Sequence, residues 1–468
     1  MEINQKECKQ FEPFKYKTLK DLRKKLDELH LELPFHKKFD ILKQPLSLNE
    51  KIIPNRLSVQ PMEGFDSKRD GSPSFLTIRR YKRYANGGAG IIWCEATSIL
   101  EGYKSNSHQL TITENNVAEF RKFVEFIKTE SKQALQKLSF HHPSLMILQL
   151  NHSGRYCKKG DNKYPIRAYH NMSLDVAINV PKIDGKIISD EELKEVEDIW
   201  VRKALLAREA GFDGVDIKAC HGYLISELLG ARTRKDSIYG GNDLMNRCRL
   251  LLNIIKKLRK KIPKDDSFLI TSRLGVYDGV PYPLGFGVAQ TKGEGFPASI
   301  DLNEPIKLIK KLYELGVRLI NISAGNPYYK PHITRPFDNP VKGSDKPSEH
   351  PLCGVYRLIK ITEKMRDNIP PEMRIIGSGY SYLRDFAPYV CAGLIRDHKV
   401  DICGFGRMAF ANPNFPNQIF EMGTIPKKNV CIACSQCSQL MKNGVSTGCV
   451  IRDSAYELKN KPKRKSII

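Results

Sequence analysis

From residue 55 onward the chain alternates short β-branched runs with amphipathic helical stretches. Eight runs have the composition of buried strands: 56–62, 89–98, 145–152, 214–220, 268–275, 318–325, 374–379 and 401–407. Helical periodicity fills the segments between them, and Ser189 and Glu192 form a capping box at the start of one helix. Strands that alternate with helices form a parallel sheet, and eight such units close a (β/α)8 barrel. We therefore predict an α/β protein with the TIM-barrel fold.

The chain is longer than a barrel needs, because a (β/α)8 barrel normally takes about 250 residues. We predict three parts: an N-terminal helical extension at 1–50, the barrel at 51–426, and a Cys-rich segment with a basic tail at 427–468. A helix is expected at 18–31 of the extension. Insertions into the barrel are expected at 157–188 and 278–300, which are rich in Gly, Pro and polar residues.

Composition narrows the class of protein. No apolar run reaches the ~20 residues of a membrane helix, and the polar start MEINQKECKQ does not resemble a signal peptide. The 12 cysteines therefore indicate a reducing compartment and metal-bound or reactive thiols rather than disulfides. The net charge of +24 suits RNA, anionic cofactors or acidic partners. Because the lysines are spread over nearly every predicted helix, a solvated surface is favoured over nucleic-acid binding. We predict a cytoplasmic protein with no membrane partner.

Four cysteines near the C-terminus form the most specific chemical motif: Cys431, Cys434, Cys437 and Cys449. The CxxCxxC run brings three thiolates to one tight turn and the fourth closes the site, which is the ligand set of a [4Fe–4S] cluster. Zinc also takes four cysteines, although usually from two CxxC knuckles. Four reduced thiols without a metal are the third alternative. The motif favours the cluster and leaves the other two open.

Motifs within the barrel region carry a family resemblance. They are QPMEG (60–64), GGAGIIWCEAT (87–97), LQLNHSGR (148–155), GFDGVDIKACHGYLISELL (211–229), RTRKDSIYGG (232–241), SRLG (272–275), GSG (377–379) and GFGRMAFANP (404–413). With them, residues 55–423 resemble the old yellow enzyme family of FMN-binding barrels. The cysteine segment makes the chain similar to the branch that includes trimethylamine dehydrogenase and bacterial 2,4-dienoyl-CoA reductase.

The resemblance implies where the FMN phosphate binds. Gly377, Ser378 and Gly379 end the seventh strand, and Gly406 and Arg407 end the eighth. Glycines let backbone amides approach a phosphate closely, and these two loops are the usual phosphate site of such barrels. Tight turns that need glycine are the structural alternative, but the neighbouring arginine favours the phosphate.

Other positions that match the family imply contacts with the flavin ring. Arg273, in the fifth strand, would lie against the edge that gains negative charge on reduction, although a buried structural ion pair is the alternative. Gln149 resembles the glutamine that binds the pyrimidine carbonyl. Pro61, Met62 and Ala96 correspond to small or apolar positions that touch the ring.

The segment KACHGY, after the fourth strand, corresponds to the family's substrate site. The resemblance implies that His221 and the residue at Lys218 hold the substrate's carbonyl oxygen, and that Tyr223 donates a proton. Lysine replaces a frequent histidine here, so we expect a fixed positive charge suited to an anionic or strongly polarised oxygen. Asp216 shares a strand face with Lys218, and an internal Asp–Lys pair is the alternative.

Together these residues predict an FMN-dependent oxidoreductase that passes hydride to an electron-poor alkene of the enone or enoyl type. The reductant would be NAD(P)H or a redox partner protein that feeds a [4Fe–4S] cluster. An electron-transfer subunit without a small-molecule substrate is one alternative. A tRNA-dihydrouridine-synthase-like enzyme is the other, but the Asn-x-Gly-Cys-Pro motif of that family does not occur in the chain.

Overall fold

A closed barrel of eight parallel strands forms the centre of the molecule in the computed structural model, which describes residues 7–160, 162–177, 186–263, 266–290 and 298–457. The strands are β1 Leu57–Val59, β2 Ile91–Ser98, β3 Leu145–Asn151, β4 Gly214–Ile217, β5 Leu269–Gly275, β6 Leu319–Ser323, β7 Arg374–Gly377 and β8 Ile402–Phe405. Each strand pairs in parallel with the next, and β8 pairs with β1. The predicted (β/α)8 fold and all eight strands are confirmed.

One principal helix follows each strand and packs outside the barrel. These helices are α1 Phe75–Asn86, α2 Val117–Lys137, α3 Asp190–Glu209, α4 Leu244–Lys261, α5 Asn303–Glu314, α6 Pro351–Arg366, α7 Ala387–Arg396 and α8 Phe415–Met422. The predicted capping box at the start of α3 is present, because Ser189 accepts from the Glu192 amide and Glu192 accepts from the Ser189 amide. Shorter helices in the strand-to-helix loops are Met172–Ala177, Leu224–Gly230, Pro331–Thr334 and Arg407–Ala411.

An antiparallel hairpin closes the amino-terminal end of the barrel. Its strands, Leu46–Leu48 and Lys51–Ile53, span the predicted boundary at residue 50. One buried cluster contains its residues together with those of the strands: Leu46, Leu48, Ile53, Ile91, Trp93, Leu145, Ile147, Leu269, Leu319, Ile376 and Ile402. Several of the strand members are the first residues of their strands. The apolar filling therefore lies at this end and leaves the carboxyl end for polar groups.

The N-terminal extension packs on the outside of α6 and α7. Its helix, Leu19–Glu28, lies within the predicted segment and begins with a Thr18–Asp21 capping box. Cys8 forms a disulfide with Cys353 of α6, so the expectation of thiols instead of disulfides is wrong for this pair. The cause is tertiary packing, because the Cys8 carbonyl accepts from the His350 amide at 2.8 Å and so lies beside the start of α6. The other ten cysteines are free.

The Cys-rich segment packs against the barrel from α1 to the β7–α7 loop. Asp453 forms ion pairs with Arg79 and Arg83 of α1, and the Thr447 amide donates to the Gly64 carbonyl at 2.6 Å. Up to residue 457, the segment contains the short 3₁₀ helix Lys427–Asn429 and the α-helix Gln436–Lys442. The basic tail from residue 458, and parts of both predicted insertions, lie outside the described residues. Within the described ranges, no helix has the length and apolar composition needed to cross a membrane.

The capping box of α3 provides a test of local stability. Replacing Ser189 with Ala removes an acceptor for an otherwise unpaired helix amide, so we expect a loss of about 1 kcal/mol in the free energy of unfolding. Ser189→Thr keeps the acceptor and should cost a few tenths of a kcal/mol. Urea unfolding followed by circular dichroism measures both. Equal midpoints for the two variants would show that the cap does not stabilise the fold.

Candidate active site

The predicted barrel residues meet at the carboxyl end of the strands, which we call the barrel mouth. Lys218 directly follows β4, Arg273 lies in β5, and Arg407 follows β8 after Gly406. Tyr223 precedes the short helix Leu224–Gly230. Because the strands are parallel, their carboxyl ends form one surface, and side chains distant in sequence converge there.

Lys218, Tyr223, Glu63 and Tyr328 form one buried group at the mouth. The Lys218 ammonium lies 3.6 Å from Glu63 Oε1 and 3.7 Å from the centre of the Tyr223 ring, in cation–π geometry. The Tyr223 hydroxyl lies 3.4 Å from the same Glu63 oxygen and 2.9 Å from the Tyr328 hydroxyl. Burial, Glu63 and Tyr328 raise the pKa of Tyr223 well above its usual value, so its proton is retained at neutral pH.

His221 reaches the mouth through an unusual backbone conformation. Its φ is 67°, in the left-handed region, and its Nε2 lies 2.8 Å from the Ser323 hydroxyl at the end of β6. Burial, followed by the charges of Arg273 and Lys218, lowers the pKa of His221 well below its usual value. His221 is therefore a neutral hydrogen-bonding group at neutral pH.

Asp216 has a role that the sequence did not indicate. Its Oδ2 accepts from Trp93 Nε1 at 2.8 Å and from Gln149 Nε2 at 2.6 Å, while Oδ1 accepts from the Arg273 amide at 2.6 Å. The Asp216–Lys218 pair considered above is therefore wrong, since Lys218 pairs with Glu63 instead. Gln149 uses its amide nitrogen for the bond to Asp216, which leaves its carbonyl oxygen for another partner. Its contact with a flavin stays a prediction.

Among the described residues, two arginines at the mouth have no acidic partner. The Arg273 Nε and the Arg407 Nη1 are buried and have no hydrogen-bond partner among the described residues. Arg407 donates its other terminal nitrogen to the Pro336 carbonyl at 2.7 Å. Burial and the neighbouring charge of Arg407 lower the pKa of Arg335 to about 10. Buried cations of this kind need an anion.

The glycine turns beside Arg407 leave little room for side chains. Gly379 has φ 101°, and a Cβ there would lie 2.9 Å from the Leu358 side chain. A Cβ on Gly377 would lie 2.2 Å from the Tyr380 hydroxyl, and one on Gly406 would lie 3.0 Å from the Met62 sulfur. Ser378 donates its hydroxyl to the Ile322 carbonyl at 3.1 Å. Close glycine turns beside unpaired guanidinium nitrogens fit a phosphate.

The positions predicted to touch a flavin ring lie on neighbouring strand ends. Pro61 and Met62 follow β1, and Ala96 is buried in β2, where its carbonyl accepts from Gln109 Nε2 at 3.0 Å. Glu63 and Tyr328 are site residues that were not predicted from the sequence. Glu63 follows Pro61–Met62 inside a recognised motif, which is a usable signal, whereas the segment around Tyr328 carries no motif.

The four predicted metal-binding cysteines line one cavity. Arg407 lines it as well. Ala433 and Ser435 have φ of 53° and 56°, which turns the CxxCxxC run tightly, and Cys431 Sγ accepts from the Ala433 amide at 3.4 Å. Burial raises the pKa of Cys431 to about 12. Within the described residues no three metal-binding side chains have converged to ligand distance, but four thiols around one cavity match a cluster's donor set.

Comparisons with known proteins agree with this geometry. The sequence profile of the NADH:flavin oxidoreductase / NADH oxidase family matches residues 41–287. The NADH-dependent flavin oxidoreductase iliE of Hypocrea jecorina is 24% identical over 412 residues, which is 84% of this chain and 89% of that protein. Cinnamate reductase of Clostridium sporogenes is 24% identical over 460 residues, 92% of this chain but 61% of the relative.

Solved structures share the fold. A 2-naphthoyl-CoA reductase complex superposes with a TM-score of 0.68 and 19% identity over 88% of this chain and 57% of that one. Morphinone reductase in complex with tetrahydroNAD superposes with a TM-score of 0.59 and 18% sequence identity, over 90% of this chain and 98% of that one. The chain thus spans little more than half of some relatives and nearly all of others.

The matched profile covers β1 to β5 and both the Lys218–Tyr223 segment and Arg273. The chain therefore belongs to the NADH:flavin oxidoreductase / NADH oxidase family, and it is an NAD(P)H-dependent flavin oxidoreductase whose cofactor is FMN.

Proposed function

We propose that this enzyme reduces an electron-poor alkene conjugated to a carbonyl group, and that Tyr223 donates the proton. The observation that carries the proposal is the position of the Tyr223 hydroxyl, which is held by Tyr328 at the mouth and stays protonated at neutral pH. The names of two similar proteins, cinnamate reductase and morphinone reductase, support reduction of an unsaturated substrate.

The FMN assignments rest on the unpaired cations and the glycine turns. Arg407, Gly377, Ser378, Gly379 and Gly406 would hold the phosphate. Arg273, Gln149, Pro61, Met62 and Ala96 would contact the ring. FMN, when bound and reduced by NAD(P)H, supplies hydride chemistry at the alkene β-carbon. An Arg273 guanidinium at the ring would stabilise negative charge there, because an ion pair at ~4 Å is worth about 4 kcal/mol at an effective dielectric of ~20.

The protein's own groups would act on the substrate carbonyl and the α-carbon. Lys218 and His221 would hold the carbonyl oxygen, His221 as a neutral donor whose Nε2 is oriented by Ser323. Polarising the carbonyl makes the β-carbon more electrophilic. The Tyr223 hydroxyl would then transfer its proton to the α-carbon, and general acids of this kind contribute about 10²–10⁴-fold.

The four cysteines are proposed to hold a [4Fe–4S] cluster that passes electrons between the flavin and a redox partner. Two observations support this proposal: the four cysteines line one cavity, and Arg407, which belongs to the proposed phosphate site, lines the same cavity. The same observation would suit an electron-transfer role without a small-molecule substrate. Turnover of simple enones by the isolated chain would distinguish the two functions.

A cytoplasmic location is proposed from the cysteines. Ten of those in the described ranges are free thiols, as expected in a reducing compartment. The Cys8–Cys353 disulfide argues in the other direction. Thiol counts on protein purified without and with reductant would measure which state the cell maintains.

We expect Arg407→Ala to weaken FMN binding about ten-fold or more, because a charge-assisted hydrogen bond to phosphate is worth about 1.5–3 kcal/mol. Arg396→Ala, which removes an exposed arginine on α7, is the control. Flavin fluorescence during dialysis gives the dissociation constant. Full flavin retention by the Arg407 variant, with the fold unchanged by circular dichroism, would refute the phosphate assignment.

For Tyr223→Phe, we expect oxidation of the reduced enzyme by an enone to slow about 10²–10⁴-fold. Reduction of the flavin by NAD(P)H should change little, since no proton from Tyr223 is needed there. Stopped-flow absorbance measures the two half-reactions separately. An unchanged oxidative half-reaction would assign the proton to another group.

For the cysteines, we expect Cys434→Ser to remove the iron, the acid-labile sulfide and the broad iron–sulfur absorbance of anaerobically purified protein. FMN should remain, because its proposed contacts come from the barrel. Cys248→Ala, in the buried face of α4, is the matched control. Wild-type protein that contains zinc and no sulfide would replace the cluster with a structural site, and protein without either metal would leave four ordinary thiols.

A further inference from the structure

Glu63 is the carboxylate that faces the substrate side of the mouth. It is 6% exposed, and its Oε1 contacts both Lys218 Nζ at 3.6 Å and the Tyr223 hydroxyl at 3.4 Å. Its Oε2 accepts from the Ser105 hydroxyl at 3.3 Å. These partners come from the β2–α2 loop and from β4 with its loop, so Glu63 lies between the groups proposed to bind and protonate the substrate.

The Lys218–Glu63 pair has no net charge when the two groups share one proton, whichever of them carries it. Burial raises the pKa of Glu63 and lowers that of Lys218, which favours sharing one proton over holding two or none. An ammonium beside a carboxylate has no net charge, and neither has an amine beside a carboxylic acid. The positive charge that the sequence suggested for Lys218 is thus balanced by Glu63.

The nearest hydrogen-bonding neighbours of this pair add no charge, and Glu95, which lies within electrostatic range of Glu63, is itself paired with Arg80. His221 is neutral, and Tyr223 and Tyr328 both keep their protons because burial and Glu63 raise their pKa values. Arg335 acts through its charge on His221 and Tyr328 and neighbours Arg407. Arg273 is in β5, where the flavin ring is proposed. Lys218 is therefore the cation of the mouth that pairs with a carboxylate beside Tyr223.

We propose that Glu63 determines the substrate class: by neutralising Lys218, it makes the site select α,β-unsaturated aldehydes, ketones or thioesters and discriminate against free carboxylates. This inference rests on the proposed alkene reduction. A neutral carbonyl oxygen can accept a hydrogen bond from Lys218 while the pair stays intact. A carboxylate at the same position would add a second negative charge beside Glu63 in a buried site, which is unfavourable.

The test compares cinnamaldehyde with cinnamate, which share the alkene and phenyl ring and differ in the activating group. The holoenzyme and its variants are assayed with NAD(P)H, and the ratio of the two kcat/KM values, aldehyde over acid, is the readout. The intrinsic reactivity of the two compounds cancels when this ratio is compared between variants. A general loss of packing would lower both values and leave the ratio unchanged.

Glu63→Gln should lower the ratio at least ten-fold, equivalent to about 1.4 kcal/mol of discrimination, because Lys218 is then free to pair with the carboxylate of the acid. Lys218→Gln should raise it, since Glu63 is then unpaired, and the double variant should return it close to the wild-type value. Ser105→Ala removes a hydrogen bond to Glu63 but keeps both charges, so it should leave the ratio unchanged. An unchanged ratio in Glu63→Gln, or a lower one in Lys218→Gln, would overturn the inference.

Ligand binding separates this inference from the function on which it rests. Benzaldehyde and benzoate are added to the oxidised holoenzyme, and dissociation constants are taken from the change in flavin absorbance. The ratio of the two constants should shift towards benzoate in Glu63→Gln even if no variant reduces an alkene. Absence of turnover would refute the proposed function alone, whereas equal ratios in wild type and Glu63→Gln would refute the role of Glu63. If Glu63→Gln does not retain FMN, Lys218→Gln decides by the direction of its shift.

Discussion

The buried carboxylate of Asp216 organises the carboxyl half of the barrel. It lies on β4 and accepts from Trp93 of β2, Gln149 of β3 and the backbone of Arg273 in β5. One side chain thus joins four strands, and a buried carboxylate with several donors is satisfied without a cation. Asp216 also separates the apolar filling, to which Trp93 contributes, from the polar mouth above it. Losing it would leave three buried donors unpaired, a cost of about 1–3 kcal/mol each.

The barrel mouth has two sides that differ in whether a buried cation has an acidic partner. Lys218 has an acidic partner within the protein, whereas Arg273 and Arg407 leave buried nitrogens unpaired among the described residues. A folded chain tolerates an unpaired buried cation when a bound group supplies the counter-charge. The unpaired side therefore matches an anionic cofactor such as FMN, and the paired side matches a neutral reactant. The sequence gives the sign of each charge but does not show which buried cations are paired with a carboxylate.

Sequence reasoning was accurate where the information is local or repeated. The eight strands follow from β-branched runs, and the α3 cap follows from the Ser189–Glu192 spacing, because both depend on neighbours in the chain. Pairings between distant residues were not accessible in this way. The choice of Glu63 over Asp216 as the partner of Lys218 depends on how β1 and β4 face each other across the barrel. Tyr328 and the Cys8–Cys353 disulfide are likewise products of tertiary packing.

Asp338, in the β6–α6 loop of the barrel, contacts both the Cys-rich segment and the N-terminal extension. Its amide donates to the Ala433 carbonyl at 3.0 Å, inside the CxxCxxC run. Its carboxylate accepts from the Phe14 amide at 3.0 Å and from the Tyr382 hydroxyl at 2.7 Å, and it pairs with Arg384. Arg384 also donates to the Ile432 carbonyl at 3.2 Å. The β6–α6 and β7–α7 loops therefore hold the cysteine turn through Asp338 and Arg384. The β6–α6 loop also contacts Arg407 through the Pro336 carbonyl, so the conformation of the turn and the position of Arg407 depend on the same loop.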